Sequence, residues 1–271
     1  MKKNLVGLIG WPVAHSLSAI MHSAAFDYLG MKEWEYQTIP VSPENLEKEL
    51  QRLIYEGYRG INITIPYKSV IMPFVKPEQE ALRIGAINTL LLPDLKGFNT
   101  DKAGFIEDIQ AEGVSLKGKK SLVLGAGGAA RAAIYGLIEA QSHVMIWARN
   151  PAKVHLVLQD MRLKAEIIEN TESLPYKEID IIINCTPLGM WPESDKSPWP
   201  ENIEFPDNIL AYDMVYRPMD TKFLQRAREN GCKAKSGIGM LLLQGVKAFE
   251  LWTGQKAPWE IMEKALKEAL I

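Results

Sequence analysis

The chain has 271 residues, 47% apolar and 24% charged, which suits two globular domains of ordinary size with full cores. Lys and Arg number 31 against 33 Asp and Glu, a net charge of −2, so no basic excess exists for broad nucleic-acid binding. Two cysteines, Cys185 and Cys232, cannot make a disulfide framework or a four-ligand zinc site, and no apolar run reaches the roughly 20 residues of a membrane span. Lys2 and Lys3 before the apolar stretch Leu5–Ala14 imitate a secretory leader. Pro12 breaks that stretch, His15 follows it and no Ala-x-Ala site appears, so the expected setting is cytoplasmic.

In chain order, the patterns predict a strand over Asn4–Ile9 and a helix over Ser18–Leu29, with Met21, Ala25 and Leu29 at steps of four. Trp34–Ile39 reads as a strand. Ser42 and Pro43 read as N-cap and first position of a helix running to about Tyr55. Gly60–Ile65 is strand-like and ended by Pro66. Asn88–Leu92 is a strand followed by a turn around Pro93–Gly97, and Asp101–Gly113 is a helix with Phe105, Ile106 and Ile109 on one side. The polar stretch Ser115–Lys120 separates a second series: strand Ser121–Leu124, helix Gly128–Ala140, strand His143–Trp147, helix Pro151–Met161, and strands Ile179–Asn184 and Ile209–Asp213. Helices over Met240–Thr253 and Pro258–Leu270 close the chain. Alternating strands and helices predict an α/β protein with mostly parallel sheets covered on both faces.

The most informative local feature is the strand Ser121–Leu124 running into G-x-G-x-x-A at Gly125, Gly127 and Ala130, with a helix starting at once. Gly125 allows the sharp turn, Gly127 lets backbone approach a pyrophosphate, and Ala130 lets the helix pack close on the strand. Free N–H groups of the first helical turn then face the phosphates. A ligand-free tight turn uses the same glycines, but the strand before and the helix after favour a dinucleotide. An NAD site carries Asp or Glu about 20 residues past the first glycine. Here Trp147-Ala148-Arg149-Asn150 stands there, with Lys153 one turn on, and these cations suit a 2′-phosphate. NADP is therefore the expected cofactor.

Polar clusters follow the strands of the first half, where open parallel sheets bind ligands. They are G-x-P-x-x-H-S-x-S at Gly10–Ser18, N-x-T-x-P-x-K at Asn62–Lys68, G-A-x-N-T at Gly85–Thr89 and N-T-D at Asn99–Asp101. With the turn Gly125–Ala129 and G-x-G-M-L-x-x-Q at Gly237–Gln244, the sequence resembles the shikimate dehydrogenases of the shikimate/quinate dehydrogenase family over nearly its whole length.

That resemblance implies two α/β domains with a cleft between them. One, residues 1–103 plus 238–271, would be a discontinuous substrate-binding and catalytic domain; the other, residues 104–237, a Rossmann-type NADP-binding domain. It implies reversible NADPH-dependent reduction of 3-dehydroshikimate to shikimate in aromatic amino-acid (chorismate) biosynthesis, by a monomer or homodimer. It implies Lys68 as catalytic acid/base with Asp101 as its partner. Ser16 and Ser18 would bind the substrate carboxylate, and Thr64, Asn88, Tyr216 and Gln244 would complete the substrate pocket. Gly125, Ala126, Gly127, Gly128 and Ala129 would hold the pyrophosphate. Arg149 and Lys153, beside Asn150, would take the 2′-phosphate, and Thr186, Met214 and Gly237 would border the nicotinamide. The sequence departs from the family pattern at Ala19 (commonly Pro), Ser23 (commonly Asn), and Ala148 and Asn150 (usually Asn and Thr). The last pair removes one polar contact to the adenosine phosphate and bears on NADP over NAD selectivity.

Ketone reduction needs a donor for the developing alkoxide, which a lysine ammonium supplies together with the proton. A neighbouring carboxylate raises the pKa of that lysine while burial lowers it. Gln244 interrupts an apolar run one turn after Met240, so it must find a partner or face a cleft. His15 is expected to shape its loop, since no G-x-S-x-G elbow surrounds Ser16. His22, His143 and His155 are isolated, so no metal is expected. Two alternatives stay open: a quinate/shikimate dehydrogenase using NAD or NADP, and a non-catalytic NADP-sensing module. Serine at both 16 and 18 favours shikimate by the resemblance, and a sensor needs neither Lys68 nor Asp101.

Overall fold

The computed structural model describes residues 3–14, 16–170 and 174–270. The chain divides into two compact units, Met1–Ala103 with Leu241–Ile271, and Gly104–Met240.

In the first unit, the apolar run after Asn4 forms β1 (Asn4–Gly10), whose last five residues are buried. It lies between β2 (Trp34–Pro40) and β3 (Gly60–Ile63), parallel to both. Helices α1 (Ser18–Tyr28) and α2 (Leu46–Glu56) follow β1 and β2. The sheet then changes character. β4 (Lys76–Pro77), α3 (Gln79–Ile84), β5 (Thr89–Leu91) and β6 (Lys96–Phe98) come next, and the strand order is β2-β1-β3-β5-β6-β4. β5 is antiparallel to β3 and to β6.

Three expectations are corrected here. β3 stops at Ile63 because the chain turns, with the Tyr67 N–H donating to the Thr64 carbonyl at 2.9 Å. The expected turn at Pro93–Gly97 is shorter, since Lys96 and Gly97 enter β6. Pro43–Asn45 forms a separate 3₁₀ turn before α2. Ser42 caps no backbone there; its hydroxyl donates to Glu44 and accepts from Asn45.

The second unit carries α4 (Asp101–Ala111) from Gly104 onward, then β7 (Lys120–Leu124), α5 (Gly128–Glu139), β8 (His143–Trp147), α6 (Pro151–Met161), β9 (Glu166–Ile168), β10 (Ile181–Asn184), β11 (Leu210–Asp213), α7 (Lys222–Glu229) and β12 (Lys233–Ser236). The order β12-β11-β10-β7-β8-β9 is parallel throughout. It is the doubly wound arrangement, whose switch point lies between β7 and β10. β9, α7 and β12 escape the periodicity argument. The two strands are short edge strands with charged residues, as exposed sheet edges require. Alanines 130, 132 and 133 on α5 are fully buried, so the helix lies close on the sheet.

From Leu241 onward α8 (Ile238–Thr253) belongs to the first unit, as does α9 (Trp259–Glu268). Trp252 donates its indole N–H to the Leu90 carbonyl at 3.1 Å. A Cβ at Gly60 would sit 2.2 Å from that indole nitrogen, so glycine is what lets α8 pack here. No described helix is long and apolar enough to cross a membrane, and the described residues hold no cluster able to bind a metal.

His22 on α1 is fully buried against Tyr36, stacked at 4.7 Å, with Trp252 at 5.2 Å, and neither ring nitrogen has a hydrogen-bond partner. Burial alone lowers its pKa from 6.5 to about 3. Below pH 6.5 the unfolded imidazole binds a proton that the folded one refuses, so stability is fully present above that pH and falls as pH drops toward 3. The expected slope is about 1.4 kcal/mol per pH unit. Asp213, whose raised carboxyl gives the opposite slope over the same window, is common to wild type and His22→Leu, so urea midpoints between neutral pH and the mild acid range should fall by this slope in the wild type relative to His22→Leu. Parallel curves would show that His22 is not held neutral.

Candidate active site

In the first unit the polar residues meet where β3, β5 and α4 end or begin. Lys68, just past β3, donates from Nζ to Asp101 Oδ2 at 2.7 Å, with side-chain exposures of 14% and 4%. Asp101 opens α4, where a carboxylate is favoured by the helix dipole. Its other oxygen accepts from Asn88 Nδ2 at 2.9 Å. Asn88 Nδ2 also lies 2.9 Å from Thr100 Oγ1 and 3.3 Å from Gln244 Oε1, while its Oδ1 accepts from the Thr100 N–H at 2.7 Å. The Lys68 carbonyl accepts from the Ile87 N–H at 2.7 Å, which ties the lysine's backbone beside Asn88.

Asn88 is held in turn. Asn62 Nδ2 donates to its carbonyl at 3.2 Å, and Tyr36 donates to Asn62 Oδ1 at 2.8 Å. Gln244 is buried, with its Nε2 donating to the Leu241 carbonyl at 2.7 Å. Ser16 donates to Ser18 Oγ at 3.1 Å and accepts from the Ser18 N–H at 3.2 Å. Thr64 is half-buried, and its Cγ2 lies 2.4 Å from where a Cβ on Gly10 would stand. His15 lies outside the described residues.

In the second unit, Gly125 ends β7 with φ at +115°, a conformation that needs glycine, and its N–H donates to the Trp147 carbonyl at 2.9 Å. Ala126 is buried. Gly127 precedes α5, and a Cβ there would meet nothing within 4 Å, so the backbone faces open space; Gly128 and Ala129 form the first turn. Arg149 and Lys153 are exposed, and no carboxylate among the described residues pairs with either. Asn150 caps α6, its Oδ1 accepting from the Lys153 N–H at 3.3 Å.

Thr186, after β10, would contact a Cβ on Gly125 at 3.1 Å, which places it at the switch point. Met214 follows β11, and its N–H donates to the Asn184 carbonyl at 3.0 Å. A Cβ on Gly237 would fall 2.7 Å from the Met214 carbonyl oxygen, so that approach also needs glycine. Burial pushes the Asp213 carboxyl up to about 7, against the pull of Thr221, Val215 and Asn184. The thiols of Cys185 and Cys232 are buried and pushed up by desolvation.

The structure thus brings Lys68, Asp101, Asn88 and Gln244 into one hydrogen-bonded group, and Gly125 and Thr186 into contact. Tyr216 is carried by the second unit. Sequence reasoning assigned no role to Asn62, Thr100, Asn184 and Asp213, although the first two lie inside quoted motifs. The last two each end an apolar strand with a polar residue that must be satisfied. Because Asn88 satisfies Thr100 and Asp101 at once, Asn88→Ala should lower stability by about 1–3 kcal/mol for each buried group left unpaired. Chemical denaturation measures this; a change under about 0.5 kcal/mol, the size of an ordinary surface substitution, would deny Asn88 its central place.

Two family models match the chain: the shikimate dehydrogenase substrate binding domain over residues 8–90, and the shikimate 5'-dehydrogenase C-terminal domain over residues 237–267. A shikimate dehydrogenase (NADP(+)) of Methanocella arvoryzae is 41% identical, covering 98% of this chain and 99% of its own. One from Moorella thermoacetica is 39% identical, covering 98% and 93%. The crystal structure of a shikimate 5-dehydrogenase from Thermus thermophilus in complex with NADP(H) and shikimate superposes with a TM-score of 0.87 at 38% identity, covering all of both chains. Full-length identity at this level, on the same fold, means that the chain belongs to the shikimate dehydrogenase family.

Proposed function

We propose that this protein is an NADP-dependent shikimate dehydrogenase, an oxidoreductase acting on a secondary alcohol. It reduces 3-dehydroshikimate to shikimate reversibly, in the biosynthesis of chorismate and the aromatic amino acids. The observation that carries this reading is the largely buried pair of Lys68 Nζ and Asp101 Oδ2 at 2.7 Å, in a chain whose full-length relatives bear that name. A non-catalytic sensor has no use for such a pair.

The residues of the second unit fit a phosphorylated dinucleotide. Gly125 supplies the turn, Gly127 leaves open space before the first turn of α5, and Arg149 and Lys153 offer exposed positive charge. Gly125 to Ala129 would hold the pyrophosphate by backbone N–H groups, and Arg149 and Lys153 the 2′-phosphate. Asn150 spends its side-chain oxygen on capping α6, which leaves its amide N–H groups for that phosphate. Thr186, Met214 and Gly237 would border the nicotinamide. NADPH, when bound, supplies the hydride.

Lys68 manages the proton. Asp101 accepts from its ammonium and turns it toward the substrate oxygen; Lys68 stabilises the negative charge that develops there and donates the proton that completes the hydroxyl. The neutral amine then recovers its proton from solvent, and the reverse reaction uses it as base. Ser16 and Ser18 give neutral hydroxyl donors to the substrate carboxylate, and Thr64, Asn88, Gln244 and Tyr216 hold the ring hydroxyls. The expected working form is a cytoplasmic monomer or homodimer without nucleic-acid partners.

Lys68→Ala is expected to cut kcat by about 10²–10⁴-fold, the range for positioned acid/base catalysis, while KM for shikimate moves by only about threefold. Reduced-nicotinamide absorbance with shikimate and quinate against NADP and NAD measures it. Unchanged turnover would remove Lys68 as proton carrier, and a preference for quinate with NAD would replace the substrate assignment. Arg149→Ala should raise KM for NADPH by about tenfold, the value of a lost charge-assisted hydrogen bond, and leave KM for NADH unchanged. Equal effects on both cofactors would separate Arg149 from the 2′-phosphate.

A further inference from the structure

We propose that Asp213 is a positioning residue for the nicotinamide end of the cofactor site, acting through the side-chain amide of Asn184. The two residues stand opposite each other in register at the carboxyl ends of β11 and β10, both fully buried. Asn184 Nδ2 donates to Asp213 Oδ1 at 2.8 Å and to the Leu188 carbonyl at 3.2 Å. Its Oδ1 accepts from the N–H and the hydroxyl of Thr186, at 2.8 and 2.7 Å. Both protons and both lone pairs of the amide are therefore used, in one orientation only. A flipped amide would set its N–H groups against the Thr186 N–H and its oxygen against the carboxylate. Asp213 supplies the shorter of the two acceptors that forbid the flip.

The same carboxylate ties down the next loops. Asp213 Oδ1 accepts from the Val215 N–H at 2.9 Å, which closes the chain around Met214, and Oδ2 accepts from Thr221 at 2.6 Å. Thr221 in turn accepts from the Leu224 N–H at 3.3 Å and caps α7. One buried carboxylate thus holds the chain after β10, the chain after β11 and the start of α7. Thr186 lies against Gly125, and Met214 against Gly237, at the close approaches already described. The inference rests on the reading above, which puts Thr186, Met214 and Gly237 beside the nicotinamide and Arg149 beside the 2′-phosphate.

The test uses the full chain and two ligands, NADP and 2′,5′-ADP, the fragment that carries the adenosine half alone. In calorimetric titrations, Asp213→Ala should weaken NADP by about tenfold and leave 2′,5′-ADP within about twofold, since only the nicotinamide half loses its support. Its kcat should fall by about 10–100-fold, while Asp213→Asn, which keeps an acceptor for Asn184 and Val215, should hold kcat within about fivefold of wild type. Asn184→Ala should weaken NADP with the same selectivity over 2′,5′-ADP, and the double variant should fall clearly short of the product of the two single effects, because the two residues share the hydrogen bond that orients the amide. Should Asp213→Ala not fold, Asn184→Ala breaks the same chain one link on and carries the test. A lower melting temperature with NADP binding and kcat at wild-type values would overturn the proposal, as would equal weakening of NADP and 2′,5′-ADP, or additive effects in the double variant. Failure of the wild type to bind NADP or oxidise shikimate would instead overturn the functional reading itself.

Discussion

The pairing of Lys68 with Asp101 is the constraint around which the first unit's polar interior is arranged. An ammonium and a carboxylate this far out of water cost more in desolvation than their attraction returns unless their remaining hydrogen-bonding capacity is met. Asn88 meets it by donating to the second carboxylate oxygen, and Asn62 and the backbone at Ile87 keep Asn88 and Lys68 in place. The change from parallel to antiparallel pairing at β5 has a local consequence here. It sets Asn88 and Thr89 beside Asn62 on β3, so that the two motifs face one another across adjacent strands.

The second unit solves a different problem with backbone. Its parallel strands end together at one edge, and the chain must leave each strand without burying unpaired N–H and C=O groups. At β7 a glycine in the left-handed region makes the turn, and at β10 and β11 the side chains of Asn184 and Asp213 take over the donors. Polarity that looks misplaced at the ends of two Ile- and Leu-rich strands is thus the means by which those strands end in a defined shape. Open space before α5 and exposed cations after β8 accompany this arrangement.

Much of this was legible in the residues. The glycine turn, the absence of an acidic residue after β8 and the order of the polar motifs need only local chemistry and spacing to be read. Elements with strong periodicity, such as α5 and β10, follow from apolar pattern because each buries a face or a whole strand. β4, β6, β9 and β12 were not legible, since strands of two to four residues with charged side chains carry no periodic signal. The bonds that join Asn62 to Tyr36 and Asn88, and Asn184 to Asp213, were equally hidden, because they span 26 to 29 positions along the chain.

Sequence by itself determined which groups the protein owns: a lysine, a carboxylate and amides in short motifs, a glycine turn between strand and helix, and cations where an acidic residue would select a different dinucleotide. These are properties of residue type and near spacing. Tertiary structure alone decided which of them touch. Lys68 and Asp101 are separated by 33 positions, and Asn88 and Gln244 by 156, and hydrogen bonds of about 3 Å between such residues exist only after strands pair and helices pack. The same holds for His22, an unremarkable helical residue in the sequence that folding turns into a neutral, unpartnered ring by closing aromatic side chains over it.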